Sequence, residues 1–185
     1  MADDPNIITL AQAKKQLGLS QVETYDADLE LYVAAATRVI EYYAGPQIPR
    51  QETLVFDGGR ASVVCPWPFD QIVSVLENGA DISSTVNASA AAGVIYAGTA
   101  LAPACFAPGA RNITVTVTVG TDDIPANVSL AARELVRFWW QQGRQGNRPA
   151  YGNEAVDTVD VPSGFAVPRR VVELLTPNRL IGGFA

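Results

Sequence analysis

The chain has 185 residues, 48% of them hydrophobic, and a formal charge of -6 with no histidine at all. That length and apolar content suffice for a real core, in one ordinary domain or in a core domain carrying an insertion. The acidic balance argues against a protein whose work is gripping the phosphate backbone, and the missing histidine removes the commonest general base and the commonest transition-metal ligand. Cys65 and Cys105 lack the CxxC spacing of a metal or redox site and read as ordinary thiols. The opening MADDPN carries acids where a signal peptide carries lysine or arginine, so secretion is not expected. Residues 82–110 contain no charged side chain, yet they are mostly alanine, serine and glycine and are cut by Pro103 and Pro108. They read as loop and hairpin, not as a membrane span, which needs about 20 strongly apolar residues in one helix.

In chain order, Thr9 followed by LAQAKKQLG predicts a capped short helix closed by Gly18. A second, longer helix is predicted over about Ala27 to Ala44, with Leu29, Tyr32, Val33, Ala36, Val39, Ile40 and Tyr43 as its apolar stripe and Gly45 and Pro46 as its end. From residue 51 the period becomes β. ETLVF, a DGGR turn at Asp57 to Arg60 and ASVVC predict a hairpin, since Asp-Gly is a hairpin signal. PWPF at 66 to 69 breaks the pairing. IVSVLENG supplies a third strand ending in a turn at Asn78 and Gly79, VIY at 94 to 96 a weak fourth, and NITVTVTV the strongest.

In that last strand Ile113, Val115, Val117 and Val119 fall on one face and Thr114, Thr116 and Thr118 on the other, so one face is buried and one wet. Gly120 breaks it, Asp122 and Asp123 offer acceptors for orphan helix amides, and Pro125 suits a first helical turn. The helix that follows is expected to run to about Gln142, burying Val128, Ala131, Ala132, Leu135, Phe138 and Trp139 and turning Arg133, Glu134, Arg137 and Gln141 outward. The polar stretch 143–167 reads as an exposed loop. VPRRVVELL then makes a short last helix and TPNRLIGGFA a tail. The fold class is α+β: a helical core of about four helices with a small antiparallel β-sheet inserted. Segment 1–50 is a helix pair, 51–119 the β insertion, 120–142 the long core helix packing on the N-terminal pair, 143–167 the loop, and 168–185 the last helix and tail.

No catalytic, cofactor or metal site emerges. The DGGR glycines lack the strand, longer loop and helix start of a phosphate cradle. Glu154, Asp157 and Asp160 lie in a Gly- and Pro-rich stretch with nothing visible to perturb them. Trp139 and Trp140 are helix neighbours whose side chains point about 100° apart and cannot both face one narrow core. Trp140 therefore lies either across the protein's own sheet or on a neighbouring subunit, as tryptophan often does at interfaces. Arg169 and Arg170 open the last helix, where its dipole gives them no help. Leu174, Leu175, Leu180, Ile181 and Phe184 are apolar where a free terminus is usually polar, so the tail should bury against the protein itself or a partner.

Several stretches taken together resemble the head-tail connector, or adaptor, family of long-tailed bacteriophages. ITLAQAKKQLGL followed by DADLELYVAAATRVIEYYAG is similar to that family's opening helix pair, and PWPFDQIVSV to its proline-containing approach to a strand. VTVTVGTDDIPANVSLAARELVRFWW is similar to its strand, proline loop and long helix, and VPSGFAVPRRVVELLTPNRL to its ending. The resemblance implies a structural virion protein of the neck, without enzymatic activity or cofactor: a homo-oligomeric ring, commonly of twelve, beneath the portal protein, with a stopper or completion protein on the tail side. DNA would pass through the lumen without specific binding, and assembly would take place in the host cytoplasm. Portal binding is carried over to Arg169, Arg170, Leu174, Leu175, Pro177, Arg179, Leu180 and Ile181, and the aromatic helix end, Arg137, Phe138 and Trp140, is the candidate subunit contact. The insertion at 51–119 departs from the shorter family members. A tail-completion or stopper protein, a DNA-binding packaging accessory and a carboxylate-dependent cell-wall hydrolase are the alternatives.

Overall fold

The computed structural model describes residues 5–145 and 167–178. The chain divides into two units, a helical one from the stretches up to Ala44 and from Ile124 onward, and a β unit from Gly45–Asp123. The fold is α+β, as the two periodicities predict.

The helical unit starts with α1 (Leu10–Leu17), whose first turn is closed by a capping box. The Thr9 hydroxyl accepts from the Gln12 amide at 3.2 Å, and the Gln12 side-chain oxygen accepts from the Thr9 amide at 3.1 Å. Gly18 ends the helix in the left-handed conformation, φ 71°. Helix α2 (Asp26–Ala44) buries Leu29, Val33, Ala36, Thr37, Ile40 and Ala44. Tyr32, Val39 and Tyr43 of the predicted stripe are half-buried, and Thr37 takes a core place instead. Its hydroxyl is satisfied there, donating to the Val33 carbonyl at 3.0 Å and accepting the Ile7 amide at 3.2 Å. Lys14 of α1, 8% exposed, pairs with Asp26 at the start of α2, Nζ to Oδ1 at 2.8 Å.

Helix α3 (Ala126–Gln145) buries Val128, Ala131, Ala132, Leu135, Val136 and Trp139. Two details depart from the predicted stripe. Val136 is buried, and Phe138 is only half-buried, because the core covers α3 on more than one side: α1, α2 and α4 (Arg169–Leu175) all pack on it. The small residues Ala36, Ala131 and Ala132 leave room for close helix approach.

The β unit contains two sheets, not one. In the first, β1 (Arg50–Phe56), β8 (Ile113–Val119), β3 (Gln71–Glu77) and β4 (Ala80–Asp81) lie in that order. The second has β2 (Ser62–Val64), β6 (Val94–Thr99) and β5 (Val86–Ser89) in order, with β7 (Ala102–Pro103) also pairing β6. All pairings are antiparallel. The strand predicted strongest is central: β8 alternates buried Ile and Val with half-buried Thr, and it pairs β1 from Arg50↔Val119 to Phe56↔Ile113. The Asn78–Gly79 turn is present, with both residues at positive φ, 52° and 83°.

The predicted β1–β2 hairpin does not form, since its two strands belong to different sheets. The DGGR segment instead runs alongside the loop at 106–112. The Gly58 amide donates to the Gly109 carbonyl and to Asn112 Oδ1, and the Gly59 amide to the Phe106 carbonyl. A side chain on Gly58 would sit 2.0 Å from the Ala107 carbonyl oxygen, so glycine here permits backbone to approach backbone. The core of the unit gathers Val63, Cys65, Phe69, Val75, Ile95, Phe106 and the inward residues of β8.

The strand-to-helix junction has its own logic. Gly120 holds φ 88°, and a Cβ there would meet the Ile48 carbonyl group at 2.3 Å. The Thr121 amide donates to the Gln47 carbonyl at 3.2 Å, and the Thr121 hydroxyl accepts from the Asp123 amide at 3.3 Å.

Candidate assembly surfaces

The sequence directs attention to two places, both in the helical unit: the aromatic end of α3 and the segment around α4. At the first, Trp139 is buried and Trp140 half-buried. The Trp140 ring meets Tyr25 edge-on at 5.2 Å between centroids and Tyr32 at 6.2 Å and 87°, while Trp139 lies 6.5 Å from Tyr32. Trp140 therefore packs on the start of α2. Edge-to-face geometry sets the positive ring edge against a negative π-face, so the two neighbouring tryptophans are both accommodated by two tyrosines. The rim of this cluster is open: Arg137 and Gln141 are exposed and Phe138 half-buried.

At the second place α4 presents Arg169 and Arg170 to solvent, with the Arg169 Nε 3.0 Å from Glu173 Oε1 one turn on. Val171 and Leu175 turn inward and are buried. Leu175, carried over as a portal contact, is thus a core residue that anchors α4, because i and i+4 share a helix face and that face is taken by α3. Leu174 is half-buried and Pro177 exposed. Arg179, Leu180 and Ile181 lie outside the described residues, as do Phe184 and the loop carboxylates Glu154, Asp157 and Asp160.

The end of α4 is held by a residue that sequence reasoning did not single out. Asn127, in the first turn of α3, donates from one amide nitrogen to the Leu174 carbonyl at 2.8 Å and to Asn178 Oδ1 at 2.6 Å. Leu174 belongs to the last turn of α4, where carbonyls run short of helical amides; Thr176 serves those of Val172 and Glu173, and α3 caps Leu174 through a side chain. The end of α4 is thereby tied down. No local signal marks Asn127, as its partners are 47 and 51 residues away.

Among the described residues no group of three or more His, Cys, Asp or Glu side chains could hold a metal ion, and no helix is long and apolar enough to cross a membrane. Cys65 is buried and Cys105 exposed, both as free thiols. Burial pushes the Cys65 thiol up to about 11. Asp81 is held below the ordinary carboxylate value by hydrogen bonds from the Ser83 hydroxyl and the Ser83 amide, on an exposed turn.

No curated protein matches the sequence. Solved structures do match over nearly the whole chain. A chain from the neck of an empty GTA particle, computed with C6 symmetry, is similar at TM-score 0.66 and 18% identity, with 96% of this chain and 92% of that chain covered. A chain of the native gene transfer agent virion gives TM-score 0.66 and 16% identity, with 96% and 92% covered. A chain from the neck of the native GTA particle, computed with C12 symmetry, gives TM-score 0.62 and 14% identity, with 97% and 96% covered. At such identities these likenesses establish a shared fold. The model of the head completion protein family matches residues 6–180, which takes in both units and the full run from the α1 cap to the tail. In agreement with the connector-like motifs of its sequence, the chain belongs to the head completion protein family.

Proposed function

We propose that the protein is a structural component of the virion neck, a head-to-tail adaptor that forms a ring of identical subunits beneath the portal and acts by assembly, not by catalysis. The family match over residues 6–180 carries this reading. The C6 and C12 symmetries of the similar GTA neck chains support a closed ring, with twelve copies as the leading number. A net charge of -6 suits a lumen through which DNA slides, since like charge suppresses adhesion to phosphates.

In this reading the portal contact is made by the exposed side of α4 and the tail beyond it: Arg169, Arg170, Pro177, Arg179, Leu180 and Ile181, with Leu174 at the edge. Leu175 and Asn127 hold α4 so that these residues start from a fixed place. Arg137, Phe138 and Trp140 sit at the subunit boundary.

Light scattering of the purified protein, alone and mixed with the portal of the same particle, tests the proposal. The comparison is between full-length protein and a chain ending at Asn178, which keeps both Asn127 hydrogen bonds. Portal-dependent association lost on truncation is the expected result. Association unchanged by truncation moves the contact away from the tail, and no association of the full-length chain sends the assignment to a stopper or completion role.

A further inference from the structure

The stretch 82–110 carries no charged side chain and supplies β5, β6 and β7 of the second sheet. Its remaining strand, β2, has none either, so that sheet is uncharged in a protein of net charge -6. A two-residue turn, Ala100–Leu101, joins β6 to β7, since Gly98 pairs with Pro103 and Thr99 with Ala102. Such turns ordinarily take glycine, asparagine or aspartate, which suit their backbone. Here the tip instead presents Leu101, 98% exposed. The hairpin behind it is braced: the Thr99 hydroxyl accepts the Ala102 amide at 3.2 Å, and the Ala97 carbonyl accepts the Ala104 amide at 3.1 Å. Val64 and Tyr96, on the outer face of the same sheet, are exposed as well. An apolar knob held out by a braced, uncharged hairpin has the chemistry of an interface core, where charged residues are depleted.

Helix α2 carries a surface of matching shape. Leu31, Ala34, Ala35 and Arg38 stand at i, i+3, i+4 and i+7, and all four are exposed. Residues so spaced frame one hole on a helix surface, of the kind that receives a single side chain from a partner. The two alanines form its sides, so a branched side chain can reach down towards the helix backbone. Leu31 walls one end. Arg38 walls the other with its aliphatic stem, while its guanidinium lies 3.7 Å from Glu41 of the same helix and so brings no unbalanced charge to the rim.

Knob and hole are different surfaces, and a ring of identical subunits needs two different surfaces on each copy. Copies of an acidic chain also repel wherever their charges meet, so they join best where neither side brings net charge. We infer that the β6–β7 hairpin of one copy of this chain docks on α2 of the next copy, with Leu101 inserted between Ala34 and Ala35. This rests on the ring reading above and names the surfaces that build the ring.

The test uses the particle that carries this chain, with its own copy of the gene deleted and the chain supplied in trans. Leu101→Asp and Ala35→Arg each change a side chain that is exposed on the subunit, so thermal unfolding of the purified variants should match wild type. The yield of tailed particles should fall by about tenfold or more in each, as for an anchor at the centre of an interface, whereas Leu101→Met should retain it. A photo-reactive phenylalanine derivative at position 101 then identifies the occupant. If it blocks assembly there, Ala100, its neighbour in the turn, carries it instead. In purified particles the product should join two copies of this chain, with the attachment within α2. Attachment to another virion protein, attachment elsewhere on a second copy, or no product at all overturns the inference while leaving the adaptor reading intact. So does wild-type yield from either charged variant. Failure of the wild-type chain itself to restore tailed particles overturns the adaptor reading, and this contact with it.

Discussion

Replacing Asn127 with alanine removes two hydrogen bonds made by one amide nitrogen, at 2.8 Å to the Leu174 carbonyl and at 2.6 Å to Asn178 Oδ1. A typical hydrogen bond contributes about 1 kcal/mol net, and a part-buried carbonyl left without its partner adds a desolvation cost, so the expected loss is about 2–3 kcal/mol. Asn127→Asp should cost more at the Leu174 contact, because it sets an acceptor against a backbone carbonyl that cannot turn. The Asn178 amide can rotate to donate instead and recover part of its own bond. Urea unfolding monitors the loss as a lowered midpoint at unchanged slope. Amide hydrogen exchange locates it: protection should fall in α4 well before it falls in α2. Portal association should weaken in the same variants under conditions where the chain remains folded. An unchanged midpoint, or a loss spread evenly over the helical unit with α4 no worse than the rest, would refute the claim that this side chain fixes α4.

Gly120→Ala is expected to destabilise the protein by on the order of 3 kcal/mol, from a left-handed backbone that alanine resists and from overlap with the Ile48 carbonyl; chemical denaturation measures it. Trp140→Ala removes the edge-to-face contacts with Tyr25 and Tyr32 together with buried ring area, costing about 3 kcal/mol, and Trp140→Phe should recover part of this in thermal unfolding. In the native protein Cys105 should react with a thiol reagent rapidly and Cys65 only as fast as the chain opens, so a stopped-flow trace should resolve two phases of equal size. For Cys65 the folded value, about 11, lies above the ordinary 9.0. Its contribution to stability is therefore complete below pH about 9 and is lost as pH rises from there towards 11. Relative to Cys65→Ala, the wild type should show the steeper decline over that window, and parallel curves would contradict the assignment.

Much of this architecture is written in short-range signals. The Thr9–Gln12 box and Gly18 bound α1 within a few residues, the three- and four-residue spacing of Leu29, Val33, Ala36 and Ile40 orients α2, and the Ile/Val–Thr alternation tells which side of β8 is covered before any partner is known. Such features depend on backbone sterics, hydrogen bonds within one turn and the period of a single element. The DGGR stretch shows where that reasoning stops. Locally it is a hairpin turn, but β1 pairs with β8, whose long regular face offers more than the three-residue β2, and the glycines serve the approach of the 106–109 backbone instead. Strand partnership is a choice among distant segments, decided by which apolar faces can be buried together.

The candidate assembly surfaces divide in the same way. Arg169 and Arg170 as exposed charges, and Arg137 and Gln141 on the outer side of α3, follow from helical period alone, whereas Arg133 and Glu134, expected on that side too, are half-buried. That Leu175 serves the core, that Trp140 settles on two tyrosines, that Asn127 caps a helix 47 residues away and that α2 is left with a second apolar face depend on how the helices pack. A period shows which residues share a side of an element. What covers that side is decided only when the elements meet, because burial and hydrogen-bond satisfaction belong to the assembled core and not to any one segment of it.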